Sequence, residues 1–108
     1  MIEFFSHWVR YQLNEERIFY IETRTGGTTI HFRSEAFQTG TALREWETIL
    51  NRGHFYRCHE AYLVNLKQVI GYENGMLTLS NQVKLEVSRR KRSAFQNAYA
   101  AYRTERGR

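Results

Sequence analysis

Between residues 17 and 87 the chain keeps returning to short runs of β-branched, aromatic and aliphatic residues, most of them ended within a few positions by glycine or asparagine. Such residues suit a pleated, half-buried surface, and the breaks have the chemistry of tight turns. Arg17–Glu22 (RIFYIE) and Thr28–Arg33 (TTIHFR) flank Gly26-Gly27 and are predicted to form a hairpin, because glycine supplies the positive φ that a tight turn needs. In the second run Ile30 and Phe32 alternate with His31 and Arg33. Ala36–Thr39 reads as a further short strand. Val69–Tyr72, Met76–Leu79 and Val83–Val87 follow, separated by Glu73-Asn74-Gly75 and Ser80-Asn81-Gln82. Asn-Gly is a strong hairpin signal, and strict alternation in VKLEV gives one buried and one wet face.

Two segments break this pattern. In Gly40–Asn51 (GTALREWETILN), Leu43, Trp46 and Leu50 fall at helical spacing with Ile49 beside them. Thr41 is the expected N-cap and Gly53 the stop; with no Glu or Gln three residues after Thr41, no capping box is expected. After Ser88, a second candidate cap, Phe95, Ala98, Tyr99 and Tyr102 recur at helical spacing. The chain therefore predicts a mainly β domain with one mid-chain helix and a C-terminal helix. At 108 residues, 42% hydrophobic and without proline, it has the length and apolar content of one domain, 1–108, with no linker. Residues 1–16, with Phe4, Phe5, Trp8 and Tyr11, form an N-terminal strand region or a partner contact, and 104–108 are expected to fray.

Charge is concentrated at one end. Residues 1–88 carry nine bases against ten acids, and residues 89–108 carry seven bases against Glu105 alone. A basic end of this kind serves as a solvated tail, an anionic-membrane contact or a nucleic-acid contact. The lone cysteine, Cys58, cannot form an internal disulfide, which fits a reducing, cytoplasmic setting. No apolar run approaches the ~20 residues of a membrane span.

Catalytic and metal motifs find little support. None of His7, His31, His54 and His59 sits in HExxH, and neither phosphate-cradling glycine motif occurs. His54, Cys58 and His59 lack a clear fourth metal ligand, and Cys58 reads as a structural thiol. No cofactor is expected. Phe55–Asn65 (FYRCHEAYLVN) sets Arg57, His59 and Glu60 beside the apolar Tyr62-Leu63-Val64. It reads either as a buried strand or turn with a polar entry, or as a rigid anchor that presents polar side chains.

Three segments in order, Ile18–Glu22 (IFYIE) with its following loop, Phe55–Leu66 (FYRCHEAYLVNL) and Val87–Arg92 (VSRRKR), resemble the LytTR family of bacterial DNA-binding domains. The resemblance spans roughly residues 17–95, with GTALREWETIL similar to the family's mid-domain helix and Val69–Tyr72 to its following strand. It implies an elongated stack of short antiparallel sheets whose loops enter successive major grooves of direct repeats. It also implies the output half of a response regulator in a two-component system, controlling quorum-sensing, bacteriocin, virulence or competence genes.

Carried onto this chain, the family's base-reading arginine falls on Arg89 and its second base-facing position on Glu60. The first loop offers Arg24 or Thr28. A guanidinium donates two parallel hydrogen bonds to guanine, and a carboxylate accepts from cytosine N4, so Glu60 either reads cytosine or orients Arg57. Arg57, His59, Arg90, Lys91 and Arg92 suit phosphates, which fix register without reading sequence. Asn65 is expected to satisfy buried backbone groups.

The expected partner is double-stranded DNA, with a homodimer on DNA and no membrane. A receiver domain would need about another 100–150 residues, which leaves an excised output domain or a stand-alone protein that activates or competes with a full-length regulator. Two other classes stay open: an interaction module whose basic end binds an acidic protein, and a non-specific RNA binder with aromatic stacking platforms.

Overall fold

The period of two along each strand divides the apolar residues into two sets, and the fold is built around that division. The computed structural model describes residues 2–6, 9–50 and 54–106. β1 (Ile2–Ser6) and β2 (Val9–Leu13) form an antiparallel hairpin. A 3₁₀ turn, Glu15–Arg17, leads into β3 (Tyr20–Arg24), β4 (Gly27–His31) and β5 (Ala36–Thr39). After helix α1 (Leu43–Ile49) come β6 (Phe55–His59) and β7 (Tyr62–Asn65). A second 3₁₀ turn, Leu66–Gln68, precedes β8 (Val69–Glu73), β9 (Met76–Leu79) and β10 (Lys84–Glu86). The chain closes with a 3₁₀ turn, Arg89–Lys91, and helix α2 (Arg92–Arg106).

All pairing is antiparallel. The five-stranded sheet has the order β5-β4-β3-β7-β6 and the three-stranded sheet β10-β9-β8. With the N-terminal hairpin these give a mainly β body of 40 × 31 × 25 Å.

Ile21 lies opposite both Ile30 and Leu63, and this row faces α1, where Leu43, Trp46 and Leu50 complete one core. Tyr20 and Val64 project to the opposite face and join the three-stranded sheet and α2 in a second core with Leu77, Leu79, Leu85, Val87 and Phe95. Trp46, in the first core, and Phe95, in the second, are the largest fully buried side chains. Burying a side chain of that size contributes about 1.5–3 kcal/mol. Tyr99 adds a hydrogen bond from its hydroxyl to the Val69 carbonyl (3.1 Å), pinning α2 to β8.

Element boundaries shift from the sequence expectation for local reasons. The strand expected at Arg17 starts at Tyr20, because the Asn14 side chain accepts from the Glu16 N–H (3.0 Å) and winds Glu15–Arg17 into a turn. The expected Thr28–Arg33 strand shifts to Gly27–His31, and Val83–Val87 contracts to Lys84–Glu86.

Helix α1 is capped at Ala42 rather than Thr41. The Ala42 N–H donates to the Glu45 carboxylate (2.8 Å), which supplies one half of a capping box; alanine has no side-chain acceptor for the other half. Gly53 and Trp8 lie outside the described residues. Ser88 does not cap a helix through its side chain: its hydroxyl makes no cap bond, and α2 starts only after the Arg89–Lys91 turn. Helical structure continues through Arg106, into the segment expected to fray. FYRCHEAYLVN is a complete hairpin, with Glu60-Ala61 at its tip and a bulge in β6 between Tyr56 and His59.

Candidate nucleic-acid interface

Four connections meet at one end of the five-stranded sheet. The β3–β4 turn and the β6–β7 turn are neighbours because the Thr23 N–H donates to the Ala61 carbonyl (3.0 Å). The Arg89–Lys91 turn is fastened to the outer side of β6 by Ser88 N–H to the Cys58 carbonyl (2.9 Å) and Lys91 Nζ to the Arg57 carbonyl (2.9 Å). The β8–β9 turn joins the same end, since the Val87 N–H donates to the Gly75 carbonyl (2.9 Å) and the Arg92 guanidinium covers Gly75. Asn74 and Gly75 both take left-handed φ, 53° and 80°, as Asn-Gly hairpins require. Glu60 and Arg89 thus sit on adjoining turns, with Arg24 at the end of β3 and Arg57 in β6 beside them, although these three segments are far apart along the chain.

Their side chains are not equally available. Arg89 and Arg90 are exposed and have no hydrogen-bond or ion-pair partner among the described residues. Glu60 is exposed at the hairpin tip, and its carboxylate accepts no hydrogen bond from a described residue.

The other cations are committed to the scaffold. Arg57 donates from Nε to the His59 carbonyl (3.1 Å), from Nη2 to the Glu60 carbonyl (2.7 Å) and from Nη1 to the Glu47 carboxylate (2.9 Å). The alternative that the Glu60 carboxylate orients Arg57 is corrected accordingly: Glu60 contributes its carbonyl, and Glu47 of α1 contributes the charge. Lys91 is held on the Arg57 carbonyl. Arg92 donates to the Val87 carbonyl (3.1 Å) and lies 4.0 Å from Glu86. Arg24 closes its own hairpin, donating to the carbonyls of Thr25 (2.9 Å), Thr28 (3.3 Å) and Thr39 (3.3 Å).

Arg24, which the sequence offers to bases, and Arg57, Lys91 and Arg92, which it offers to phosphates, thus each bond to the protein itself in this structure. Thr28 is corrected outright. It is fully buried, and its hydroxyl bonds the Thr41 carbonyl (2.8 Å), the Thr39 hydroxyl (3.0 Å) and the Trp46 indole N–H (3.0 Å), so no face is left for a base.

His59 is half-buried behind the tip. Its Nδ1 accepts from the Ala61 N–H (3.0 Å), which leaves Nε2 facing Glu86 at 4.0 Å. Asn65 is buried as expected: its Nδ2 donates to the Ile18 carbonyl (2.8 Å), and its Oδ1 accepts from the Lys67 N–H (3.0 Å). Cys58 is fully buried; desolvation pushes its thiol up to about 12 against the opposing pull of Lys91 and Arg57, so it stays protonated. Burial likewise raises the Tyr20 phenol to about 12, with Glu22 and Tyr62 adding to the shift. His54 packs edge-on to Tyr102, away from His59, and no group of three His, Cys, Asp or Glu side chains comes together among the described residues. A cleft of about 510 Å³ lies at the opposite end of the sheet, between Phe19, Phe32, Arg33 and Lys67.

A rigid antiparallel scaffold that offers free cations and a free carboxylate from adjoining loops has the layout of a domain that contacts DNA through loops. The chain belongs to the LytTR family: the family model described as LytTr DNA-binding domain matches residues 9–100. This is a DNA-binding, non-catalytic family. The solved LytTr DNA-binding domain of a Bacillus cereus protein, described as a methyl-accepting/DNA response regulator, superposes with a TM-score of 0.75. That match covers 90% of this chain and 94% of the other at 19% identity, a likeness of fold. No curated protein matches the sequence.

Proposed function

We propose that this domain binds double-stranded DNA sequence-specifically in the cytoplasm, as the DNA-reading part of a transcriptional regulator, and engages direct repeats through the loops at one end of its sheet. Arg89 reads guanine in one major groove, Glu60 accepts from cytosine N4 at a neighbouring position, and Arg90 holds a phosphate. Two copies on one DNA meet successive repeats. The observation that carries this reading is the division of the cations at that end: Arg89 and Arg90 are exposed and unpartnered among the described residues, while Arg24, Arg57, Lys91 and Arg92 bond to the protein itself.

The test is a gel-shift on a genomic fragment library, comparing the parent with Arg89→Ala and Glu60→Gln. Arg89→Ala should lose about 1–3 kcal/mol, or about 5- to 160-fold, on the preferred site, with weak non-specific binding preserved. Glu60→Gln exchanges an acceptor-only group for one suited to adenine and should change the preferred base at one position. Equal losses on every sequence would make Arg89 a phosphate contact. Binding to an acidic protein with no DNA preference would replace the reading altogether.

A further inference from the structure

Just beyond the bulge in β6, the carbonyls of His59 and Glu60 at the hairpin tip face the Arg57 side chain. One side chain collects both. The Nε–Nη2 edge of Arg57 spans the two carbonyls at 3.1 and 2.7 Å, while Nη1 is anchored 2.9 Å from Glu47 on α1. The main chain of the same residue reaches the other reading element, because its carbonyl accepts from Lys91 Nζ at 2.9 Å in the turn that bears Arg89. Arg57 thus bonds to α1, to the Glu60 tip and to the Arg89–Lys91 turn at once. The guanidinium makes the links to α1 and to the tip, through three nitrogens in one plane, and the backbone carbonyl makes the third; an ammonium, with a single nitrogen, cannot replace that fork.

We propose that Arg57 is the positioning residue of the DNA-contacting edge. Its fork fixes the turn that carries Glu60, and its carbonyl fixes the turn that carries Arg89, so that the spacing between the two base contacts is set inside the protein. The proposal rests on the assignment of that edge to DNA, and the role is distinct from a phosphate contact: Arg57 acts through its neighbours. Bases are discriminated only when donors and acceptors arrive in register, so loosening the tip degrades choice of base more than overall attraction to DNA.

The experiment uses Arg57→Lys, Arg57→Met and Glu47→Gln, with melting temperature, salt dependence and base preference measured on one set of duplexes. Positioning predicts that Arg57→Lys and Arg57→Met both cut discrimination at the Glu60 base pair by about tenfold. The slope of log affinity against log salt should keep the parent value for Arg57→Lys, and Glu47→Gln should fall between these variants and the parent. A phosphate contact predicts the reverse: Arg57→Lys binds as the parent does, and Arg57→Met loses about one unit of slope on every sequence; that result overturns the proposal.

Amide exchange at Ala61, in the tip that the fork holds, measured on the free protein, separates the two layers of inference. Faster exchange in Arg57→Lys with no base preference even in the parent would sink the DNA assignment and leave the clamp. Unchanged exchange would sink the clamp alone. If Arg57→Met does not fold, Arg57→Lys and Glu47→Gln decide the question.

Discussion

Replacing Thr28 by valine preserves the outline of the side chain and deletes its oxygen. The geometry around that oxygen fixes the proton order. Its one O–H donates to the Thr41 carbonyl at 2.8 Å, so its lone pairs accept the Trp46 indole N–H and the Thr39 O–H, each at 3.0 Å. Thr39 in turn accepts from the Thr41 N–H at 3.2 Å. Valine removes the acceptor of two buried donors, and each such loss costs about 1–3 kcal/mol; the half-exposed Thr41 carbonyl turns to water instead. The expected destabilisation is about 2–6 kcal/mol. With a urea m-value of about 1–3 kcal/mol/M for a domain of this size, the denaturation midpoint falls by roughly 0.7 M or more at unchanged m. Thr28→Ser keeps the whole network and removes one methyl group, costing about 0.8 kcal/mol. Below its melting temperature the valine variant should retain the parent's choice of DNA bases. A valine variant within about 0.5 kcal/mol of the parent, or a serine variant equally damaged, would refute the reasoning. A stable valine variant that lost discrimination at a single base pair would return Thr28 to the DNA.

Alkaline pH offers a second probe. Cys58 titrates near 9 when unfolded and at about 12 when folded, so its contribution is complete below pH 9 and is lost as pH rises from there towards 12. The loss is at most about 1.4 kcal/mol per pH unit, and urea titrations between pH 7 and pH 11 should show Cys58→Ala with the flatter decline. In the β3–β4 turn, a Cβ on Gly27 would run into the Thr39 carbonyl, whereas one on Gly26 meets open space at φ +84°. Both alanine variants lose stability, Gly26→Ala by about 1–2 kcal/mol from backbone strain and Gly27→Ala by more, because β5 must move; denaturation midpoints rank them.

Local signals were legible in the sequence. The Asn74-Gly75 turn, the Ala36–Thr39 strand and the Leu43/Trp46/Leu50 stripe depend on neighbours within one or two turns, and each is found where periodicity placed it. Family motifs also placed Arg89 and Glu60 on loops that prove to adjoin. What escaped was which polar groups the protein spends on itself. Thr28 and Arg24 belong to a loop that invites a DNA role, yet their partners include Thr39 and Trp46, 15 and 18 positions away, on elements whose docking no local pattern encodes. Arg57 shows the same limit: a lone arginine before a histidine looks available until α1 brings Glu47 to it. The β6–β7 hairpin was missed for a different reason, because its Glu60-Ala61 tip lacks the glycine or asparagine that advertises a turn, and the Arg57 fork supplies part of that work.

The Ser88 and Lys91 bonds to β6 have one more consequence, for behaviour at high concentration. β6 is the last strand of its sheet, and a bare last strand is a template on which other chains pair and aggregate. Here the outward carbonyls of Arg57 and Cys58 are already occupied by Lys91 and Ser88, and the bulge bends the strand out of line. The contacts that seat the Arg89 turn also close this border of the sheet against a stray strand, so the domain gains protection from self-templating without adding a residue for the purpose.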